Sequence, residues 1–94
     1  MSDAISIGSA ARPRVARLFR LQWEEAQGCH VLLYPEGMVK LNQSAGEILK
    51  RCDGTRDIAE IVADLERAFD RHGLVGDVNA FLQIAVRQGW LEMA

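Results

Sequence analysis

Cysteine is scarce in this chain of 94 residues, with Cys29 and Cys52 far apart and no others. Two thiols are too few to frame a disulfide-stapled domain. Together with His30 and His72 they supply residue types that bind zinc, but no Cys-x-x-Cys or His-x-x-x-His spacing accompanies them. They read as two packed thiols and two ordinary histidines. A Cys/His nucleophilic pair has no third group beside it and no oxyanion-type glycine motif. Positive charge is also lacking. Eleven Lys and Arg stand against thirteen Asp and Glu, for a net charge of -2 and a pI near 5.6. That balance argues against a dedicated nucleic-acid binder, which must neutralise many phosphates. No apolar run approaches the roughly 18 residues of a membrane span, and the N-terminus lacks the basic start and apolar core of a signal peptide. Neither Gly-x-x-x-x-Gly-Lys nor Gly-x-Gly-x-x-Gly occurs, so no phosphate or dinucleotide loop is present. No catalytic set emerges, no cofactor is implied, and the expected location is the cytoplasm.

What is present is an ordinary globular composition, 49% hydrophobic and 26% charged. It suits one domain with one modest core. Residues 1–11 read as a mobile tail and 12–94 as the domain. The stretch from Leu41 to Ile61 organises it. Asn42 and Ser44 can cap a helix, and Ser44 with Glu47 has capping-box spacing. Ala45, Ile48, Leu49 and Cys52 recur on one helical face, and Asp53-Gly54 ends the run. A second helix follows at once, with Asp57 as cap and Glu60 as its box partner. Ile58, Ile61, Val62, Leu65 and Phe69 face inward. His72-Gly73 closes it. Leu74-Val75-Gly76 reads as a linker, Asp77 as the cap of a third helix over Val78–Gln88, and Trp90-Leu91 as a short extended tail.

The first half is patterned differently. From Arg17 to Trp23 the chain alternates, with Phe19, Leu21 and Trp23 to one side, as in a half-buried strand. Glu24 to Gly28 is a hairpin loop by composition, and Cys29–Tyr34 is the next strand. Pro35-Glu36-Gly37 turns the chain into a short last strand, Met38–Leu41. The expected fold is α+β: a three-stranded antiparallel sheet followed by three helices, winged-helix-like in outline. A winged helix that reads DNA is the alternative function. The third helix has Arg87 as its one basic residue, which fits DNA readout poorly. Arg12, Arg14, Arg17 and Arg20, in a stretch without acidic residues, suit either an anion or plain solvation.

The remaining candidate is an edge. Met38 to Leu41 ends a sheet too small to close on itself, and its free backbone groups can accept an extended peptide as an added strand. The third helix has more apolar surface than one stripe needs, and alongside it would wall a groove. The same bare edge permits a homodimer by strand exchange, hinged at Pro35–Gly37 or Glu24–Gly28.

The run Leu41-Asn42-x-Ser44-Ala45-x-x-Ile48-Leu49-x-x-Cys52-Asp53-Gly54, followed by Ile58-x-x-Ile61-Val62-x-x-Leu65, resembles the PqqD family of pyrroloquinoline quinone (PQQ) biosynthesis. Pro13-Arg14, Arg20–Trp23, Tyr34–Gly37, Asp77-Val78-x-x-Phe81-Leu82 and Gly89–Leu91 extend the resemblance over residues 12–92. It implies a non-catalytic peptide chaperone, similar to the recognition elements of ribosomally made and post-translationally modified peptides. Such a protein binds the leader of the precursor peptide PqqA and presents it to the radical S-adenosylmethionine enzyme PqqE. That enzyme joins a Glu and a Tyr side chain of the peptide, with iron–sulfur clusters of its own. The family's leader adds beside the last strand of the sheet and against the third helix. By resemblance this maps onto Met38, Val39, Lys40 and Leu41 and onto Phe81, Leu82, Ile84 and Arg87.

Overall fold

The computed structural model describes residues 10–94, in which three helices pack on a three-stranded antiparallel sheet. The strands are β2 (Arg20–Glu24), β3 (Cys29–Tyr34) and β4 (Gly37–Lys40), in the order β2-β3-β4. The helices are α1 (Gln43–Lys50), α2 (Ile58–Phe69) and α3 (Val75–Arg87). A ribbon absent from the sequence-based expectation joins the chain ends: β1 (Pro13–Val15) pairs antiparallel with β5 (Leu91–Met93). The tail expectation for residues 1–11 falls almost wholly outside the described residues, though Ala11 packs against the core.

The central strand sets the layers. Leu32 of β3 lies opposite Leu21 and Val39, and the three share the sheet face turned to the helices. Leu32 is fully enclosed, as are Ile61 of α2 and Leu82 of α3, and all three belong to one buried cluster. Helix α1 rests directly on β3. Gly46 makes this possible, because a Cβ there would stand 2.7 Å from Nδ1 of His30. The imidazole is held between that glycine and Trp23, whose ring meets it edge-on at 5.1 Å.

The caps show where local sequence suffices. Asp57 caps α2 with its full box: Glu60 N–H donates to Asp57 Oδ1 at 2.8 Å, and Asp57 N–H donates to Glu60 Oε1 at 2.9 Å. In α1 the cap is Asn42, which accepts from Ala45 N–H at 2.8 Å, and the Ser44–Glu47 box is not formed. Glu47 is engaged elsewhere, by Arg51 Nη1 at 2.9 Å. Arg51 is an almost buried cation that also donates to the Glu47 carbonyl at 2.9 Å and to Asp64 of α2. It therefore fastens α1 to α2. Burial disfavours its charge, yet the two carboxylate bonds overcome that and raise its pKa. The same bonds hold the Glu47 and Asp64 carboxyls below their ordinary range.

Two further expectations are corrected. α3 starts at Val75 rather than Val78, because the Leu74 N–H is satisfied by Glu66 Oε2 at 3.0 Å and Asp77 falls inside the first turn. Phe69 is 40% exposed, since the last turn of α2 runs beyond the core and its ring only rims a cleft with Ile48, Leu65 and Leu74. The chain after α3 is extended and packs on the core through Leu91 and Trp90, and its pairing as a strand adds to that expectation. Trp90 O accepts from Ala16 N–H at 2.8 Å, and Gly54 N–H donates to Pro13 O at 2.9 Å. Those two bonds tie the first strand to the C-terminal segment and to the α1–α2 turn. Pro13 is tolerated as the first residue of its strand.

Candidate functional site: the β4 edge

Strand β4 exists because Pro35-Glu36 reverses the chain and Tyr34 pairs with Gly37 across the turn. The register continues through Leu33↔Met38, Leu32↔Val39 and Val31↔Lys40. One bond fixes which backbone groups face where. Leu41 N–H donates to His30 O at 3.0 Å, so Leu41 and His30 form a close hydrogen-bonded pair. Alternation then makes Val39↔Leu32 and Gly37↔Tyr34 pairs of the same kind. The N–H and C=O of Val39 are consumed by β3, whereas those of Met38 and Lys40 point away from the sheet. A row of two residues thus offers donors and acceptors along an edge that no other strand of the described residues occupies.

The side chains divide accordingly. Val39 packs against the core, and Leu41 is part of it. Met38 and Lys40 lie on the opposite face, with Met38 45% exposed. On α3, Leu82 is fully enclosed beside Val78 and Ala85. Phe81, Ile84 and Arg87 follow one another at intervals of three and fan away from that buried line. Phe81 is half-buried on Trp90, with ring centroids 6.5 Å apart. Ile84 is 52% exposed, and Arg87 stands on the exposed last turn.

The eight residues named by resemblance therefore fall into two groups. Leu41 and Leu82 are core residues, and their backbone groups are already engaged, those of Leu41 with His30 of β3 and those of Leu82 inside α3. Met38, Lys40, Ile84 and Arg87 are exposed, with Val39 and Phe81 between the two conditions. β4 makes its extended contact with β3, and α3 makes its own with α2 and β5. What the two elements share is the buried cluster beneath them, to which Leu41 and Leu82 both belong. Which residues of β4 turn outward could not be read from the sequence, because it depends on the register against β3.

The rest of the described residues carry little chemistry. Cys52 is buried, donates its thiol to Ile48 O at 3.2 Å, and is pushed up to about 12 by burial. A thiol in that state is a poor nucleophile and a poor ligand. Among the described residues no cluster of three His, Cys, Asp or Glu side chains is arranged to hold a metal ion. Among them also, no helix is long and apolar enough to cross a membrane.

Comparison with known proteins places the chain in a family. Residues 29–91 match the family model described as coenzyme PQQ synthesis protein D (PqqD). A relative from Pseudomonas aeruginosa called PqqA binding protein is 58% identical over 82 residues, covering 86% of this chain and 89% of its own. One of the same name from Stutzerimonas stutzeri is 52% identical with the same coverage. Among solved structures, the chain is similar to the PqqD truncation of Methylobacterium extorquens PqqCD. That truncation is described as a functional, stand-alone recognition element for ribosomally synthesized and post-translationally modified peptides. The TM-score is 0.76 at 28% identity, over 93% of this chain and 95% of the other.

Proposed function

This chain belongs to the PqqD family, and from that premise we propose that it is a non-catalytic adaptor that binds the precursor peptide PqqA by strand addition at β4. The observation that carries the reading is the pair of outward-facing backbone units at Met38 and Lys40. The relatives named for PqqA binding, and the recognition element with the same fold, support it. An extended leader laid beside β4 gains main-chain hydrogen bonds in register, and alternate side chains find different surroundings. Those turned toward the helices meet the apolar flank of α3, with Phe81 and Ile84. Those turned away meet Met38 and Lys40.

In this role the protein holds the leader and leaves the distal part of the peptide free, in the cytoplasm, for the radical S-adenosylmethionine enzyme PqqE. Iron–sulfur and radical chemistry belong to that enzyme. Ordering a flexible peptide is costly, so moderate affinity is expected. DNA readout is not favoured, because α3 offers Arg87 as its single basic residue.

Titration calorimetry with separate leader and core portions of PqqA tests the proposal. Saturable binding of the leader and none of the core is the expected result. No heat and no change in amide chemical shifts with the leader would remove it.

A further inference from the structure

The sheet has a second open edge, and its sequence reads the same chemistry in both directions. Since Leu32 exchanges its bonds with β4, its neighbours Val31 and Leu33 exchange theirs with Gln22 and Arg20 of β2. The N–H and C=O of Leu21 and Trp23 therefore point out of the sheet. No other strand of the described residues pairs with β2, and the Trp23 side chain is 51% exposed there. Arg20 and Glu24, at the two ends of β2, enter no ion pair among the described residues.

We propose that β2 is a self-recognition edge whose partner is a second copy of this chain, paired antiparallel about a two-fold axis at Gln22. The strand Arg20-Leu21-Gln22-Trp23-Glu24 is complementary to its own reverse. With Gln22 opposite Gln22 of the second copy, Leu21 falls opposite Trp23, and these two carry the outward backbone groups that close hydrogen-bonded pairs require. Arg20 falls opposite Glu24, twice per dimer, giving each unpaired charge an opposite one across the strands. The exposed Trp23 ring is covered by Leu21 of the other copy. An isologous contact of this kind closes on itself and cannot propagate into a fibre.

The product is one continuous six-stranded sheet with both β4 edges at its ends, still open. Dimerisation and peptide capture are thus compatible, and no hinge has to open as strand exchange would require. A five-residue edge is smaller than the roughly 1,200 Å² of a stable interface, so the dimer is weak and forms at high protein concentration.

Sedimentation equilibrium over rising concentration reads it. The wild-type chain should show reversible monomer–dimer exchange, weakened by salt. R20E and E24R should each lower the association constant about tenfold or more, because each creates two like-charge pairs. An equimolar mixture of R20E and E24R should regain wild-type association as a one-to-one heterodimer, and so should the R20E/E24R double variant. Recovery on mixing cannot come from variants that fail to fold. A wild-type chain that stays monomeric to millimolar concentration would overturn the proposal. So would single variants that associate like the wild type, or a mixture no stronger than its parts. Leader binding by β4 should be unchanged in all of these variants, which separates this result from the fate of the peptide-binding reading.

Discussion

Proline at two adjacent positions of β4 should have opposite consequences. Lys40→Pro deletes an N–H that points away from the sheet and leaves the bonds between β3 and β4 intact, a placement that edge strands tolerate. Val39, which precedes it, is already extended, as a residue before proline must be. A guest strand then loses one main-chain hydrogen bond, worth about 0.5–1.5 kcal/mol. On the tenfold-per-1.4 kcal/mol scale that is a loss of about 2- to 12-fold in affinity. Val39→Pro instead deletes an N–H that the Leu32 carbonyl accepts, deep in the sheet where Leu32 is wholly enclosed. Leaving that carbonyl unpaired costs about 1–3 kcal/mol of folding stability. In a domain of this size the melting temperature falls on the order of 10 °C. Calorimetric titration with the PqqA leader, beside thermal melts followed by circular dichroism, separates the two. Unchanged affinity in Lys40→Pro, or loss of binding in Val39→Pro with no loss of stability, would refute the assigned alternation.

Gly46→Ala should destabilise the fold by about 1–2 kcal/mol, because crowding His30 outweighs the roughly 1 kcal/mol gain in helix propensity; urea unfolding measures it. Glu47 and Asp64 have carboxyls lowered from ordinary values of 4.5 and 3.8 by hydrogen bonds from Arg51. Their contribution is complete above those values and is lost as pH falls through the lower folded ones. The acid limb of a stability–pH curve should therefore be shallower in Arg51→Met than in the wild type. Brief alkylation of the native protein should label the half-exposed Cys29 and spare Cys52, with Cys52 reacting only after unfolding; peptide mapping by mass spectrometry reads both sites.

Much of this architecture is written locally. The Asp57–Glu60 box closes within four residues, so the start of α2 was legible, and the hairpin of β3 and β4 follows from the position of Pro35. The cap of α1 was ambiguous between Asn42 and Ser44. What decides it is Arg51, which draws Glu47 away and is itself held by Asp64 from another helix. No window of sequence contains that competition. The β1–β5 ribbon escaped for a related reason. Each strand is three residues long, too short for alternation to register, and Arg14 pairs with Glu92 from the far end of the chain. At the β4 edge the sequence located the strand but not its free groups. Only the pairing against β3 shows that Met38 and Lys40, not Val39, face outward, and only packing shows Leu41 and Leu82 to be enclosed.

The most direct test is amide protection in nitrogen-labelled protein with and without the PqqA leader, read with intermolecular contacts by nuclear magnetic resonance. The amides of Met38 and Lys40 should become protected from hydrogen exchange when the leader is added. Cross-strand contacts should place leader residues alongside them, and Leu21 and Trp23 should stay as they were. Protection that leaves β4 untouched and appears on β2 or on the helices instead would contradict the account.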